Sequence, residues 1–298
     1  MSAQAMSKYH PGVAGIAVGF AAVLAAAAFG GEPDLTFFGW SDQHIQTNGD
    51  GHHLAPAIDA MNGLPGTKYP DRFRGTVAAP AFIFGCGDIT EWPTKAACDT
   101  YNDLLTRRLR FRAYDLVGNH DEGGKVPSET VKRWIVARHG GLSYIFDQGG
   151  VHFVALFSKY DEQRNNPAQP ITREALAFLR NDLAKVPKVM PVVVAAHLCF
   201  DAITNRDELL AAFGDANVIL VLGGHYHQSK ADRFRGVSFL QLPSPSANGP
   251  SEVMVVRITA QRLAAVPYNY REKRWDDRPD RTLDVPIRGP NAAAAKTE

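Results

Sequence analysis

Five times along this chain, a short apolar run of strand-like composition ends directly at a side chain that can ligate a metal ion. Residues 35–39 lead into Ser41-Asp42-Gln43-His44, residues 81–84 into Gly85-Cys86-Gly87-Asp88, and residues 114–117 into Gly118-Asn119-His120-Asp121. Residues 192–196 stop at His197, and residues 218–222 run into Gly223-Gly224-His225-Tyr226-His227. A D-x-H or an H-x-H alone arises often by chance, and a lone His is more often a packed or surface residue than a ligand. The order of the five is what constrains the fold. In open α/β sheets the carboxyl ends of strands face the crevice where ligands bind, so five such ends gather these groups around one site.

The rest of the pattern agrees with that class. Residues 144–146, 151–157, 237–242 and 252–258 also read as strands, and Asp147-Gln148-Gly149-Gly150 predicts an antiparallel hairpin between two of them. Helical spacing runs through residues 94–109, where Ala97, Tyr101, Leu104, Leu105 and Leu109 form one apolar face. It returns in 128–138, 172–183 and 206–213, with Ser128 and Thr172 placed as N-caps. Alternating strands and amphipathic helices predict an α/β domain over residues 34–270.

Charge limits the partners. Lys plus Arg number 32 against 31 Asp plus Glu, a formal charge of +1, so the chain offers no basic track for nucleic acid. Phosphate recognition has to be local. Cys86, Cys98 and Cys199 are too few for a disulfide framework and lack zinc-knuckle spacing, so they read as buried thiols; in an exported chain Cys86 and Cys98 have the option of pairing.

The two ends read differently from the middle. Residues 13–28 carry no charge, follow Lys8 and His10, and precede Glu32-Pro33-Asp34 with A-x-A-like cleavage points at Ala26/Ala28 or Ala28/Gly30. That is the layout of a signal peptide over residues 1–30, which predicts a periplasmic or secreted protein. The other reading is an uncleaved membrane anchor, for which the run is Ala/Gly-rich and weakly hydrophobic. Residues 271–298 are polar and Pro-bearing and read as a tail that wraps the surface or frays.

Taken in order, Asp42-x-His44, Gly87-Asp88, Gly118-Asn119-His120-Asp121, His197 and Gly224-His225-x-His227 resemble the signature of the calcineurin-like metallophosphoesterase superfamily, across roughly residues 35–258. The resemblance implies a β-sandwich of two mixed sheets flanked by helices, with a dinuclear metal site at the strand ends. It implies that Asp42, His44, Asp88 and His227 ligate one metal and that Asp88, Asn119, His197 and His225 ligate the other, with Asp88 bridging. Carboxylate and imidazole suit borderline first-row cations, so two divalent or mixed-valence ions of Mn, Fe or Zn are expected. Two dications bring about +4 against about −3 from Asp42, Asp88 and a bridging hydroxide, a balance that attracts a phosphate oxyanion. The bridging water, its pKa lowered towards about 7, is the expected nucleophile on phosphorus.

By the same resemblance His120 stabilises the transition state or protonates the leaving oxygen, and Asp121 either holds it or is a turn residue. Purple acid phosphatases carry a Tyr ligand where this chain has Glu91, three residues after Asp88, which argues against the coloured Fe(III) subtype. The expected reaction is hydrolysis of a small phosphomonoester or phosphodiester. The alternative is a non-catalytic metal-binding scaffold on the same fold, like the retromer subunit that has lost part of its site; here no ligand is missing. The H-x-H-x-D-H signature of metallo-β-lactamases is absent. Loops that can choose the substrate are Ser158-Lys159-Tyr160-Asp161 with Asn165-Asn166, His52-His53, Asp201, Asn205-Arg206 and Ser244-Pro245-Ser246, each equally readable as solvated loop.

Overall fold

In the computed structural model, residues 32–287 are described, apart from positions 125 and 247. The segment read as signal peptide or anchor, and residues 288–298 of the tail, lie outside the described residues. No helix among the described residues is long and apolar enough to cross a membrane.

The elements in chain order are β1 (Asp34–Trp40), α1 (Ala55–Gly63), β2 (Ile83–Gly85), α2 (Lys95–Arg107), β3 (Ala113–Asp115), α3 (Thr130–His139), β4 (Tyr144–Gln148), β5 (Val151–Ala155), α4 (Arg173–Leu183), β6 (Val192–Ala195), α5 (Arg206–Ala212), β7 (Val218–Gly223), β8 (Lys230–Phe234), β9 (Val237–Gln241), β10 (Glu252–Thr259), β11 (Arg262–Asn269), β12 (Arg274–Trp275) and β13 (Leu283–Pro286). They form two mixed sheets. One has the order β12-β11-β10-β1-β2-β3 with β13 also on β11, and the other β4-β5-β6-β7-β9-β8. In the first, β1, β2 and β3 are parallel; in the second, β5, β6, β7 and β9 are parallel.

The period of two along β1 explains why the sheets stack. Leu35 and Phe37 point into a core that also holds Phe82, Phe153, Val193 and Leu220, contributed by both sheets. Phe82 anchors it, with Phe37 stacked at 5.2 Å and Phe153 edge-on at 5.2 Å between ring centroids. Phe38 and Trp40 point the other way, into a core shared with Ile58 of α1, Tyr101 of α2 and Ile135 of α3. Leu176 and Leu179 of α4 and Leu209 of α5 cover Val192, Val194 and Val221 on the outer face of the second sheet. The result is helix, sheet, sheet, helix. Emptying the shared core by Phe37→Ala would cost about 3–5 kcal/mol.

Every strand expected from composition is present, and the predicted hairpin joins β4 to β5 with Gln148 opposite Val151 and both turn glycines at positive φ. Four strands escaped the sequence reading. β8 is a charged edge strand with no apolar run, and β11 carries Ala264-Ala265 and Pro267, which have weak strand propensity. β12 and β13 lie in the stretch read as a tail, so the domain continues to Pro286 as strands added to β11. The helix α1 was also missed. Thr172 caps α4, its Oγ1 accepting from the Ala175 amide at 3.3 Å. Ser128 stands one residue before the N-cap position of α3, which is Glu129, and its Oγ accepts from the first helical amide, that of Thr130, at 3.3 Å. The three cysteines are buried and free.

Candidate metal centre

All the parallel strands deliver their carboxyl ends to one edge of the sandwich, where the loops are tied across. Asp42 and His44 donate their amides to the carbonyls of Gly87 at 2.8 Å and Asp88 at 3.0 Å, which zips the loop after β1 to the loop after β2. Gly224 donates to His197 O at 2.8 Å, doing the same for β6 and β7. The His225 amide then donates to both oxygens of Asp42, at 3.1 and 3.0 Å, and joins the two sheets.

These loops turn sharply enough to strain the backbone. Asp42, His44, Asp88, His225 and His227 all have positive φ, between 49° and 76°, where a non-glycine residue costs on the order of 1 kcal/mol or more. Half of the ten such non-glycine residues in the described structure are therefore expected ligands. Strain concentrated on five expected ligands points to a functional requirement at this edge. Close approach adds a demand for Gly224, where a Cβ would collide with Ser41 Oγ and lie 2.6 Å from Asp42 Oδ2.

The donors converge in two groups. Asp42, His44 and His227 form one, with the Nε2 atoms of His44 and His227 3.1 Å apart and His227 Nε2 3.6 Å from Asp42 Oδ1. Asp88, His197 and His225 form the other, joined by Asn119. Here His197 Nε2 lies 3.2 Å from Asp88 Oδ2 and 3.0 Å from Asn119 Oδ1, which is also 3.0 Å from His225 Nδ1. Ligand atoms about 2.1 Å from one cation and at octahedral to tetrahedral angles are about 3.0–3.4 Å apart, so four of these edges have the spacing of a coordination sphere and the fifth, from His227 to Asp42 at 3.6 Å, is slightly long. The donor types, imidazole, carboxylate and amide oxygen, fit borderline first-row ions.

Without cations the cluster divides its own charge. Burial drives His44 and His225 down to about 4, which leaves them neutral and ligand-ready. Burial also works against the His197 proton, but Asp88 and Asp42 outweigh it and hold that proton well into the alkaline range. Asp88 is the counterpart: burial disfavours its charge, and His197 with His120 and His44 pulls it below the usual carboxylate range.

His120 stands beside the donors. Its ring packs edge-on to His44 at 4.7 Å and stacks on Trp92 at 4.8 Å. Its amide donates to Asp88 Oδ1 at 2.8 Å, and its Nδ1 is 2.8 Å from the carbonyl of Glu91. A carbonyl only accepts, so Nδ1 carries the proton and Nε2 is left for the cavity. Asp121 does not hold this ring. Its Oδ2 accepts from the amides of Gly118 and Ile89, and its Oδ1 from the amide and hydroxyl of Thr90, all at 2.9–3.1 Å. It braces the loops after β2 and β3 instead.

A cavity of about 450 Å³ opens over His44, His120 and His227, with His52, His53 and Ser246 among its walls. The substrate-loop expectations divide here. Tyr160 reaches the centre, 6.0 Å from the His225 ring. Ser244 is structural, donating to Asp42 O at 2.6 Å, while Asp201 pairs with Lys230, Asn205 bonds the Ile171 backbone and Arg206 bonds local backbone. Gln46, Asp50, Glu91 and Asn248 line the same cavity and were not picked as substrate residues. Glu91 meets His44 from a different loop, so no local spacing marks it. A second cavity of about 740 Å³ lies on the Trp92 side, lined by Trp92, Pro93, Val126 and Pro127 with Glu162 at its edge.

No family model matches the sequence, and no curated protein does. Among solved structures the chain is similar to GAP50, the anchor in the inner membrane complex of Plasmodium, with a TM-score of 0.57 and 14% identity over 86% of this chain and 90% of that one. Weaker likenesses are to a putative 5'-nucleotidase from Staphylococcus aureus, at TM-score 0.48 and 15% identity over 85% and 54% of the two chains, and to wild-type Vps29 from Entamoeba histolytica complexed with zinc, at 0.38 and 15% over 85% and 100%. At these identities only the GAP50 likeness speaks, and it speaks for architecture alone.

Proposed function

We propose that this chain is a dinuclear metal-dependent hydrolase of small phosphoric esters, a metallophosphoesterase. The observation that carries the reading is the gathering of seven donors into two groups, Asp42, His44, His227 and Asp88, Asn119, His197, His225, on strained loops at one edge of the sandwich. Asp88 is proposed to serve both groups. Two bound cations would supply the positive charge that draws a phosphate oxyanion and would lower the pKa of water. The chain's residues do the rest. The buried carboxylates of Asp42 and Asp88 fix the anionic share of the centre, and His120, as the imidazolium protonated on both ring nitrogens, gives its Nε2 proton to the leaving oxygen and is left neutral with its proton on Nδ1. Its proton affinity supports this, since Asp88 and Glu91 more than offset the burial of the ring and raise it. The apolar cavity beside Trp92 suits an aryl or alkyl leaving group.

The test is hydrolysis of nitrophenyl monoester and diester by protein loaded with Mn, Zn or Fe. Asp88→Asn and His120→Ala are each expected to lower turnover by about 10²–10⁴-fold. Unchanged turnover in both would overturn the reading. Export on residues 1–30 belongs to the same proposal, and the mass of the mature protein tests it. A metal-binding scaffold is the second reading, prompted by a structural neighbour described as an anchor. The complete donor set weighs against it, and two bound metals with no turnover on any ester would favour it.

A further inference from the structure

We propose that Glu91 is a positioning residue for this centre, its carboxylate fixing the tautomer of the metal ligand His44 while its backbone carbonyl orients His120. The inference rests on the metal reading above. Glu91 Oε2 lies 3.0 Å from His44 Nδ1, and the Glu91 carbonyl lies 2.8 Å from His120 Nδ1. Carboxylate and carbonyl oxygens accept, so the carbonyl sets a proton on His120 Nδ1 and the carboxylate would favour one on His44 Nδ1. His44 Nε2, the atom 3.1 Å from His227 Nε2 in the first donor group, then keeps its lone pair for a cation. His120 Nε2 is likewise left facing the cavity.

The backbone that presents Glu91 is itself held. Its amide donates to Ile45 O at 2.8 Å and the Ile45 amide to Ile89 O at 3.0 Å, so the loop bearing His44 and the loop bearing Glu91 run as one paired segment. His44 Nδ1 forms no hydrogen bond of full geometry here, and the Glu91 carboxylate, 3.0 Å away with 36% of its side chain exposed, is the acceptor placed beside it. A competing role is direct ligation, because His44, Glu91 and His120 also bring three donor atoms within 4.8 Å of one another. Ligation through that group would take His44 Nδ1 away from its proton. The two roles therefore make opposite demands on the tautomer and on what replaces the carboxylate.

The experiment pairs Glu91→Ala with Glu91→Gln. Calorimetric titration of metal-free full-length protein with Zn²⁺ should show Glu91→Ala about 10–100-fold weaker at one of two sites, with Glu91→Gln near wild type because its amide oxygen accepts the same proton. Nitrogen NMR of the metal-free histidines should report His44 protonated on Nδ1 in wild type and Glu91→Gln, and mixed tautomers in Glu91→Ala. An alanine variant with wild-type affinity at both sites, or a glutamine variant as weak as alanine, overturns the proposal. Wild-type protein that binds no zinc would overturn the metal reading instead, and the NMR result still decides what Glu91 does to His44. Thermal unfolding of both variants shows that the readouts come from folded protein.

Discussion

At the scale of single residues, two positions carry predictions that do not depend on turnover. Gly224 lets the loop after β7 pass against Ser41 and Asp42, so Gly224→Ala is expected to displace a buried carboxylate. It should lower both the unfolding temperature and zinc affinity, and a variant that binds zinc like wild type would show that the approach is not needed. Asp115, at the end of β3, is fully buried, with Oδ1 accepting from the Tyr101 hydroxyl at 2.6 Å and Oδ2 without a partner. Burial raises its carboxyl from 3.8 to about 6, against the pull of Tyr101 and Arg138. Between those values the folded state binds the proton more tightly than the unfolded chain, so stability falls as pH rises through about 4 to 6. A shift of about two units corresponds to about 3 kcal/mol in differential stability across the window. Urea unfolding of wild type and Asp115→Asn from pH 3.5 to 7.5 checks it: the variant should gain on wild type as pH rises, and parallel profiles would refute the assignment.

At the scale of elements, the loops after β2 and β3 are coupled through one side chain. Asp121 takes three backbone amides and a hydroxyl, and replacing it by Asn would turn an NH₂ group towards some of those donors. Asp121→Asn is expected to cost about 1–3 kcal/mol in urea unfolding and to weaken metal binding through the displaced Asp88 and Asn119 loops. On the far side of Trp92, Val126 is 79% exposed at the rim of the apolar cavity, so Val126→Asp should fold normally. It should raise KM for nitrophenyl esters several-fold while leaving short alkyl phosphates unaffected, and equal KM values would separate that cavity from the substrate. These elements also show what was legible in the sequence. The ligands were readable because each follows its own strand by a few residues, so the strand signal places the donor as well. The bracing role of Asp121 and the contacts of Glu91 were not, because Ile89 and Thr90 for the one, and His44 and His120 for the other, come from other loops and share no spacing with them. β8 and β11 escaped for a related reason: a charged edge and an Ala-Ala-Val-Pro run are strands only by virtue of the neighbours they pair with.

At the scale of the molecule, the centre straddles the sandwich. Asp42, His44, Asp88 and Asn119 come from loops of the first sheet, while His197, His225 and His227 come from the second. In the metal-free protein the link between these two sets at this edge includes the His225 amide on Asp42 and the Asp88 to His197 pair. Cations shared between the two sets would bind the folded arrangement and not the unfolded chain, so their binding energy becomes folding energy. At a thousandfold excess over Kd one site contributes about 4 kcal/mol. For a domain of this size each kcal/mol moves Tm by about 2–4 °C, so zinc or manganese should raise it by roughly 8–16 °C, and a chelator should reverse the gain. The shift should shrink in Asp42→Ala and in His197→Ala alike, although the two residues belong to different sheets. If the unfolding temperature ignores the metal, or if only one sheet's variants respond, the donors do not act as a single clamp between the sheets, and the two groups would have to be treated as separate sites with separate chemistry.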